Sequence, residues 1–207
     1  MRFATANTTP TQRCTLASTR TNRCLNSRLR KGRTTMMNSL TLRLATEQDI
    51  PCAMSMIQAA KDYHKEIGLD QWNEDYPARS DIEADVSTQK GYFLCDGEQK
   101  VAYLCFDLDG EANYNELEGQ WLTPEDSIYL VIHRLAMDGN QRGKGYSSAV
   151  FPLAEQFCRE RGIHSIRVDT HAENKIMQHL IPKAGFTYCG IVYYDGSPRT
   201  AFEKIID

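Results

Sequence analysis

No Cys-x-x-Cys pair occurs in the 207 residues, and no histidine stands at metal-ligand spacing from a cysteine. Neither a zinc ribbon nor a dithiol redox motif is therefore expected, and no metal site is called. The seven cysteines (Cys14, Cys24, Cys52, Cys95, Cys105, Cys158, Cys189) are odd in number and suggest no disulfide framework. Five of them sit in apolar surroundings, the ordinary setting of a small buried thiol in a reducing compartment. No window approaches the roughly 18 consecutive apolar residues of a membrane span, and no internal repeat is found. Acidic residues are missing from residues 1–37, which hold eight Lys and Arg; the other 170 residues carry sixteen basic against 27 acidic side chains, a net of −11. An acidic body suits a cationic small molecule and disfavours polyanions, so neither nucleic acid nor a membrane is expected as partner.

Residues 1–37 form a basic leader rich in Thr, Asn, Ser and Arg, with no apolar run of seven. A secretory signal is not expected from this composition, and the segment is expected to be disordered because it has too little apolar surface to bury. It is either transit-like, which would place the protein in the mitochondrial matrix, or an upstream extension of a cytoplasmic chain starting at Met36 or Met37. The second is favoured because the domain, 38–207, begins immediately afterwards. An RNA-binding arm would need interleaved aromatics that it lacks.

From Leu40 onward the pattern is that of one α/β domain. Leu40-Thr-Leu-Arg-Leu44 alternates like a strand. Thr46 caps a helix that runs to about Ile67, with Pro51 tolerated in its first turn. A loop with Trp72, Tyr76 and Pro77 leads to a short helix capped by Ser80 or Asp81. Strands at 92–95 and 101–106 flank a hairpin signal at Asp96-Gly97, and residues 107–125 read as a polar loop. The spacing then predicts the longest strand over 128–137, a helix over 143–161, a strand over 165–168, a helix over 173–184 and strands over 186–194 and 200–206. Pro152 and Pro182 fall inside the two helices and should kink or end them. The expected fold is a single mixed, partly parallel sheet of six or seven strands with helices on both faces.

Arg142-Gly143-Lys144-Gly145-Tyr146-Ser147 follows the 128–137 strand and opens the next helix. Glycines one residue apart permit positive φ and close backbone approach, and amides at a helix start attract anions such as a pyrophosphate. A P-loop is excluded: its leading glycine would be Asp138, and Gly145 rather than Ser or Thr follows Lys144. A dinucleotide fingerprint is excluded because Ser148 stands at its third glycine.

With its flanks, this segment resembles the GNAT acetyltransferases. Leu135-Ala136-Met137 stands for the family's Leu-Ala-Val, and Arg142 to Ser147 for its Arg/Gln-x-x-Gly-x-Gly/Ala loop, with Ser147 a small-for-small departure. Asn174 and Gly185-Phe186 match the Asn that opens the next helix and the Gly-Phe that closes it. The resemblance spans roughly residues 40–206. It implies an acetyl-CoA-dependent N-acetyltransferase with a splay between the strand carrying Leu135 and Met137 and its neighbour over 165–169. It implies that the amides of Arg142, Gly143, Lys144, Gly145, Tyr146 and Ser147 hold the pyrophosphate, and that Leu135, Met137 and Asn174 contact the rest of the cofactor. The Met137 amide would polarise the thioester carbonyl, a role worth about 3–4 kcal/mol for one oxyanion donor.

Attack on a thioester requires a neutral amine, and an amine of pKa ~10.4 is about 99.9% protonated at pH 7, a deficit of ~4–5 kcal/mol. His133 is the candidate base. Strand alternation places Tyr129, Val131, His133, Leu135 and Met137 on one face, and one member of the family carries a histidine at the matching position. The other reading is a hydrogen-bonded core histidine. Ile181 stands where the family often has a tyrosine acid, which leaves Tyr193, Tyr194, a water or unassisted departure of the thiolate. Trp72 and Tyr76 are expected to wall the pocket of a small-molecule primary amine, and Arg199 either binds a substrate carboxylate or is a solvated turn arginine. Asp169 and His171 are read as caps of the next helix. A protein lysine or N-terminus as acceptor, a non-catalytic acyl-CoA-binding module and a homodimer stay open.

Overall fold

The computed structural model describes residues 40–207; the leader over 1–37 and its disorder lie outside the described residues. The strands are β1 (Leu40–Leu44), β2 (Gly91–Asp96), β3 (Gln99–Asp107), β4 (Glu118–Gly119), β5 (Leu130–Met137), β6 (Ser165–His171), β7 (Thr187–Tyr194) and β8 (Ser197–Ile205). The helices are α1 (Ile50–Glu66), α2 (Arg79–Ser87), α3 (Tyr146–Arg159) and α4 (Lys175–Lys183). Among the described residues all strands join one open sheet in the order β1-β2-β3-β5-β6-β8-β7-β4, in which only β5 and β6 run parallel.

Short polar signals set the corners. The backbone N–H and the hydroxyl of Thr46 both donate to the Asp49 carboxylate, at 2.9 and 2.8 Å, which folds Glu47–Asp49 into a 3-10 turn and aims the chain into α1. The α2 cap differs from expectation: Ala78 is the N-cap, and Asp81 reaches back from the third helical position to accept from the Ala78 N–H at 2.6 Å. Asp195 and Gly196 both take positive φ and close the β7–β8 hairpin.

The sheet has eight strands rather than six or seven, because the stretch read as a loop supplies β4 against β7. Its aromatics are the reason. Tyr114 is buried with Tyr129, Val131 and Val192, and Trp121 packs against them, so a polar-looking segment has an apolar underside. Strand β5 is shorter than expected, since Ile128 lies outside it and is 70% exposed; β3 and β8, at nine residues each, are longer. The helix predicted from 143 starts at Tyr146 because both preceding glycines have positive φ. Neither proline ends its helix. Pro152 and Ser148 are both exposed, so solvent can take the Ser148 carbonyl that Pro152 leaves without a donor.

Helices cover both faces. Val150, Phe151 and Ile181 of α3 and α4 pack with Leu104, Leu130 and Ile166 on one face; Ile57 and Ile82 of α1 and α2 pack with Phe93 and Tyr103 on the other. Among the described residues no helix is long and apolar enough to cross a membrane, and no group of three or more His, Cys, Asp or Glu is placed to hold a metal ion.

Candidate active site

β5 and β6 pair only at their beginnings, Leu130 with Ile166 and Val131 with Arg167. Beyond that point the strands part, as expected, and a cleft opens between them. On its other side β5 follows β3, with an interruption: His133 faces Cys105 and Ala136 faces Tyr103, so Arg134 and Leu135 together oppose the single Leu104. Arg134 takes φ +52°. This is a β-bulge, and it exchanges the faces of the residues that follow. The expected single face of Tyr129, Val131, His133, Leu135 and Met137 therefore ends at His133: Tyr129 and Val131 pack with Tyr114, whereas Leu135 and Met137 pack on the α3–α4 side.

The bulge is held from α2. Arg134 donates through Nε (2.9 Å) and Nη2 to the two oxygens of the buried Asp85, and through Nη1 to the Tyr76 hydroxyl at 3.2 Å. Asp85 also accepts from the Tyr103 hydroxyl at 2.8 Å. After the bulge, Asp138 N–H donates to the Val101 carbonyl at 2.9 Å, so residue 138 turns its polar groups toward β3. By strand alternation the Met137 amide turns the other way, into the cleft.

The glycine loop lies at the far end of this strand. Gly143 and Gly145 have φ of +76° and +87°, and a Cβ built on either would meet nothing within 4 Å, so both border open space. None of the amides from Arg142 through Gly145 donates to any described residue, and those of Tyr146 and Ser147 lie in the first turn of α3, where no intrahelical acceptor exists. Free N–H groups, a positive helix end and open space together fit a diphosphate. The loop's long side chains are engaged by the protein itself. Arg142 donates to the Ala59 carbonyl and lies 4.6 Å over the Tyr63 ring, Lys144 donates to Gln141 at 2.9 Å, and Tyr146 is buried with its hydroxyl on Asp96 at 2.8 Å. The groove bordered by this loop has a volume of about 820 Å3 and runs along Leu135 and Met137 to Asn174.

A second cavity, of about 620 Å3, adjoins it; Leu135, His64, Asn174 and Met177 line both. His133 stands in its wall, its Nε2 at 3.7 Å from a Glu111 oxygen. Burial holds the imidazole below its ordinary range, the Arg134 charge lowers it further, and Asp169, Glu111 and Asp107 oppose the shift. The ring is therefore neutral at neutral pH. Asp169 does not cap α4; it accepts from the Tyr114 and Tyr194 hydroxyls at 2.9 and 3.1 Å, and burial raises its pKa. His171 does not cap it either, its Nδ1 receiving the Glu173 N–H at 3.3 Å. Asn174 is the cap, accepting from Met177 N–H at 3.2 Å while its amide donates to Gln71 at 2.9 Å.

Trp72 and Tyr76 both line the second cavity. Tyr194 lines it too, with a phenol that burial pushes far above its ordinary range, whereas the Tyr193 hydroxyl donates to the exposed Glu118. Ile181 is fully buried in the core. Several wall residues escaped sequence reasoning, His64, Glu111 and Arg134 among them. His64, on α1, has its ring 5.1 Å from Trp72 and a buried Nδ1 with no hydrogen-bond partner among the described residues, and burial, with the Arg142 charge, lowers its pKa. Gln71 braces Asn174 from the loop. A histidine one residue after Tyr63 on an amphipathic helix was a signal for His64, and Gln71 lies in the loop over 70–77 from which substrate contacts are expected.

The sequence model of the acetyltransferase (GNAT) family matches residues 54–186. A GNAT-family acetyltransferase from Streptococcus agalactiae 2603 is similar in structure, with a TM-score of 0.73 and 31% identity over 81% of this chain and 96% of that one. A GNAT-family acetyltransferase from Listeria monocytogenes 4b F2365 gives 0.66 and 16%, over 81% and 95%. The aminoglycoside acetyltransferase AAC(6')-Ib in complex with coenzyme A and kanamycin shares the fold, with a TM-score of 0.60 and 20% identity over 81% and 95%. No curated protein matches the chain.

Proposed function

The chain belongs to the GNAT family of acetyltransferases, and from that premise we propose that it transfers an acetyl group from acetyl-CoA to the primary amine of a small molecule, by direct attack with both substrates bound. The observation that carries this reading is the meeting of two compartments at Leu135: a groove with free loop amides on one side and a polar cavity holding His133 on the other. One structural neighbour is an aminoglycoside acetyltransferase in complex with both coenzyme A and kanamycin, which supports a small-molecule acceptor.

When bound, acetyl-CoA supplies an acetyl group already activated as a thioester. The amides of Arg142 through Ser147 hold its diphosphate, Leu135 and Asn174 line its arm, and the cleft-facing Met137 N–H donates to the carbonyl oxygen as negative charge gathers there. Trp72 and Tyr76 wall the acceptor. His133, neutral and set beside Glu111, takes the proton from the amine, and Glu111 and Asp169 stabilise the imidazolium that results. Cys105, opposite His133, is fully buried with its thiol pushed far up, which argues against an acyl-cysteine route. Because Ile181 occupies the usual tyrosine position, the thiolate leaves unassisted or through water.

Titration calorimetry with acetyl-CoA, followed by thiol release over a panel of small amines and of lysine-bearing and N-terminal peptides, tests the reading. Turnover with a small amine supports it. Turnover only with peptides turns it into a protein acetyltransferase, and tight cofactor binding with no turnover turns it into an acyl-CoA-binding module.

A further inference from the structure

Strands β5, β6 and β8 each carry one arginine, and two of the three are paired. Arg134 binds Asp85, and Arg167 binds Glu203 at 3.1 Å between the rings of Trp121 and Tyr129. Arg199 is the exception. It sits on β8, opposite His171 on one side and Val192 on the other, and lines the acceptor cavity. Its Nε is buried without a hydrogen-bond partner, and its guanidinium makes no hydrogen bond or ion pair with any described residue; it lies 5.5 Å from the centre of the Tyr194 ring. The nearby acid does not satisfy it. The Tyr114 and Tyr194 hydroxyls both donate to Asp169 Oδ1, and although burial raises the Asp169 pKa and the Arg199 charge lowers it from a distance, the Asp169 and Arg199 side chains form no hydrogen bond or ion pair. A buried guanidinium N–H without an acceptor is costly, and a carboxylate answers its planar fork with two parallel hydrogen bonds.

We propose that Arg199 binds the carboxylate of the acceptor, so that the substrates of this enzyme are amino acids or other amines bearing a carboxylate. The inference rests on the acetyltransferase reading and names its substrate class. The cavity wall carries groups suited to both parts of such a molecule: His133 and Glu111 for the amine, with Leu135 shared with the donor groove, and Arg199 on β8 for the carboxylate. A phosphate is a poorer fit, because the other guanidinium in the wall, Arg134, is already engaged by Asp85, while Glu111, Asp169 and Asp195 line the same space and repel a double negative charge. The diphosphate of the donor is not an alternative partner, since Arg199 does not border the glycine-loop groove.

The test uses matched pairs, each an amino acid and its decarboxylated amine: lysine with 1,5-diaminopentane, phenylalanine with 2-phenylethylamine, and so on through the common amino acids. Thiol release is measured for each, and amino-acid binding to the coenzyme A-loaded protein is followed by calorimetry. The expected result is a preference in kcat/KM of about ten- to a hundredfold for at least one carboxylate-bearing member. Arg199→Gln should collapse that preference at least tenfold, chiefly through KM, and Arg199→Lys should restore part of it. The acetyl-CoA Kd of each variant reports that it is folded. Decarboxylated amines acetylated as well as or better than their partners would overturn the carboxylate site while leaving acetyl transfer standing. A preference that survives Arg199→Gln would overturn it too, as would failure to bind or acetylate any amino acid. Arg199-dependent binding of an amino acid with no thiol release from any amine would keep the site and sink the acetyltransferase reading instead.

Discussion

Arg134 and Asp85 form a buried, two-pronged ion pair that ties the bulge of β5 to α2. The Arg134 backbone is in the left-handed region, which costs an arginine of order 1–3 kcal/mol. The pair offsets that cost and fixes where the faces of β5 exchange, so a contact on the outer helix sets the relation between His133 and the Leu135–Met137 segment.

Asp85→Asn should therefore cost about 3–5 kcal/mol of stability, the usual consequence of leaving one charge of a buried pair unanswered. It should also lower kcat. The double variant Asp85→Leu, Arg134→Met should recover stability in denaturant melts without recovering kcat. Equal recovery of both would mean that the bulge does not position the site.

Gly145→Ala places a Cβ in the open groove at φ +87°. Backbone strain of about 1–2 kcal/mol is expected, along with an acetyl-CoA Kd raised tenfold or more. Calorimetry reads the second effect and thermal unfolding the first. An unchanged Kd would remove the loop from the cofactor site.

If His133 is the base, kcat/KM for total amine should be level between the His133 pKa, which burial sets below 6.5, and the pKa of the amine. Below that plateau it should fall. In His133→Gln the plateau should become a slope rising with pH, because only the neutral amine then reacts. His64→Gln, which changes another histidine of lowered pKa, should keep the plateau. The same depression has a stability consequence. The unfolded chain takes up protons at these sites before the folded one does, so this contribution is complete above pH 6.5 and is lost as pH falls below it.

Glu203 is fully buried and accepts from Ser165, Thr123 and Arg167 side chains and from the Leu122 N–H. It fastens the segment after β4, which continues from the Glu111 and Asn113 cavity wall. Glu203→Ala should cost about 3–5 kcal/mol and raise amine KM more than acetyl-CoA Kd, as steady-state kinetics and calorimetry would show.

Much of the fold could be read from the chain because local signals agreed with it: Gly143 and Gly145 before α3, Asn174 before α4, and paired turn residues at both hairpins. The bulge could not. Arginine does not favour positive φ, and the ion pair that enforces it joins residues 49 positions apart. The packing of 107–125 was hidden for a related reason, since Tyr114 and Trp121 are isolated in polar sequence and find their apolar partners only through β5, β7 and β8. Arg199 was visible as a charge after a turn, but its lack of a hydrogen-bond partner among the described residues is a property of the assembled cavity.

The order of the sheet has a consequence for how the molecule comes into being. β8 lies between β6 and β7 but follows both in sequence. Until residues 197–205 are made, β6 has an open edge on that side and β7 lacks its main partner. On the ribosome, the half of the domain before β6 can collapse early around β1–β3 and α1, while the wall that carries Glu203 and Arg199 waits for the last strand to slot in. Late insertion of a central strand exposes unpaired edges for longer than a simple meander would. Aggregation during synthesis should accordingly be most sensitive to changes within that closing segment.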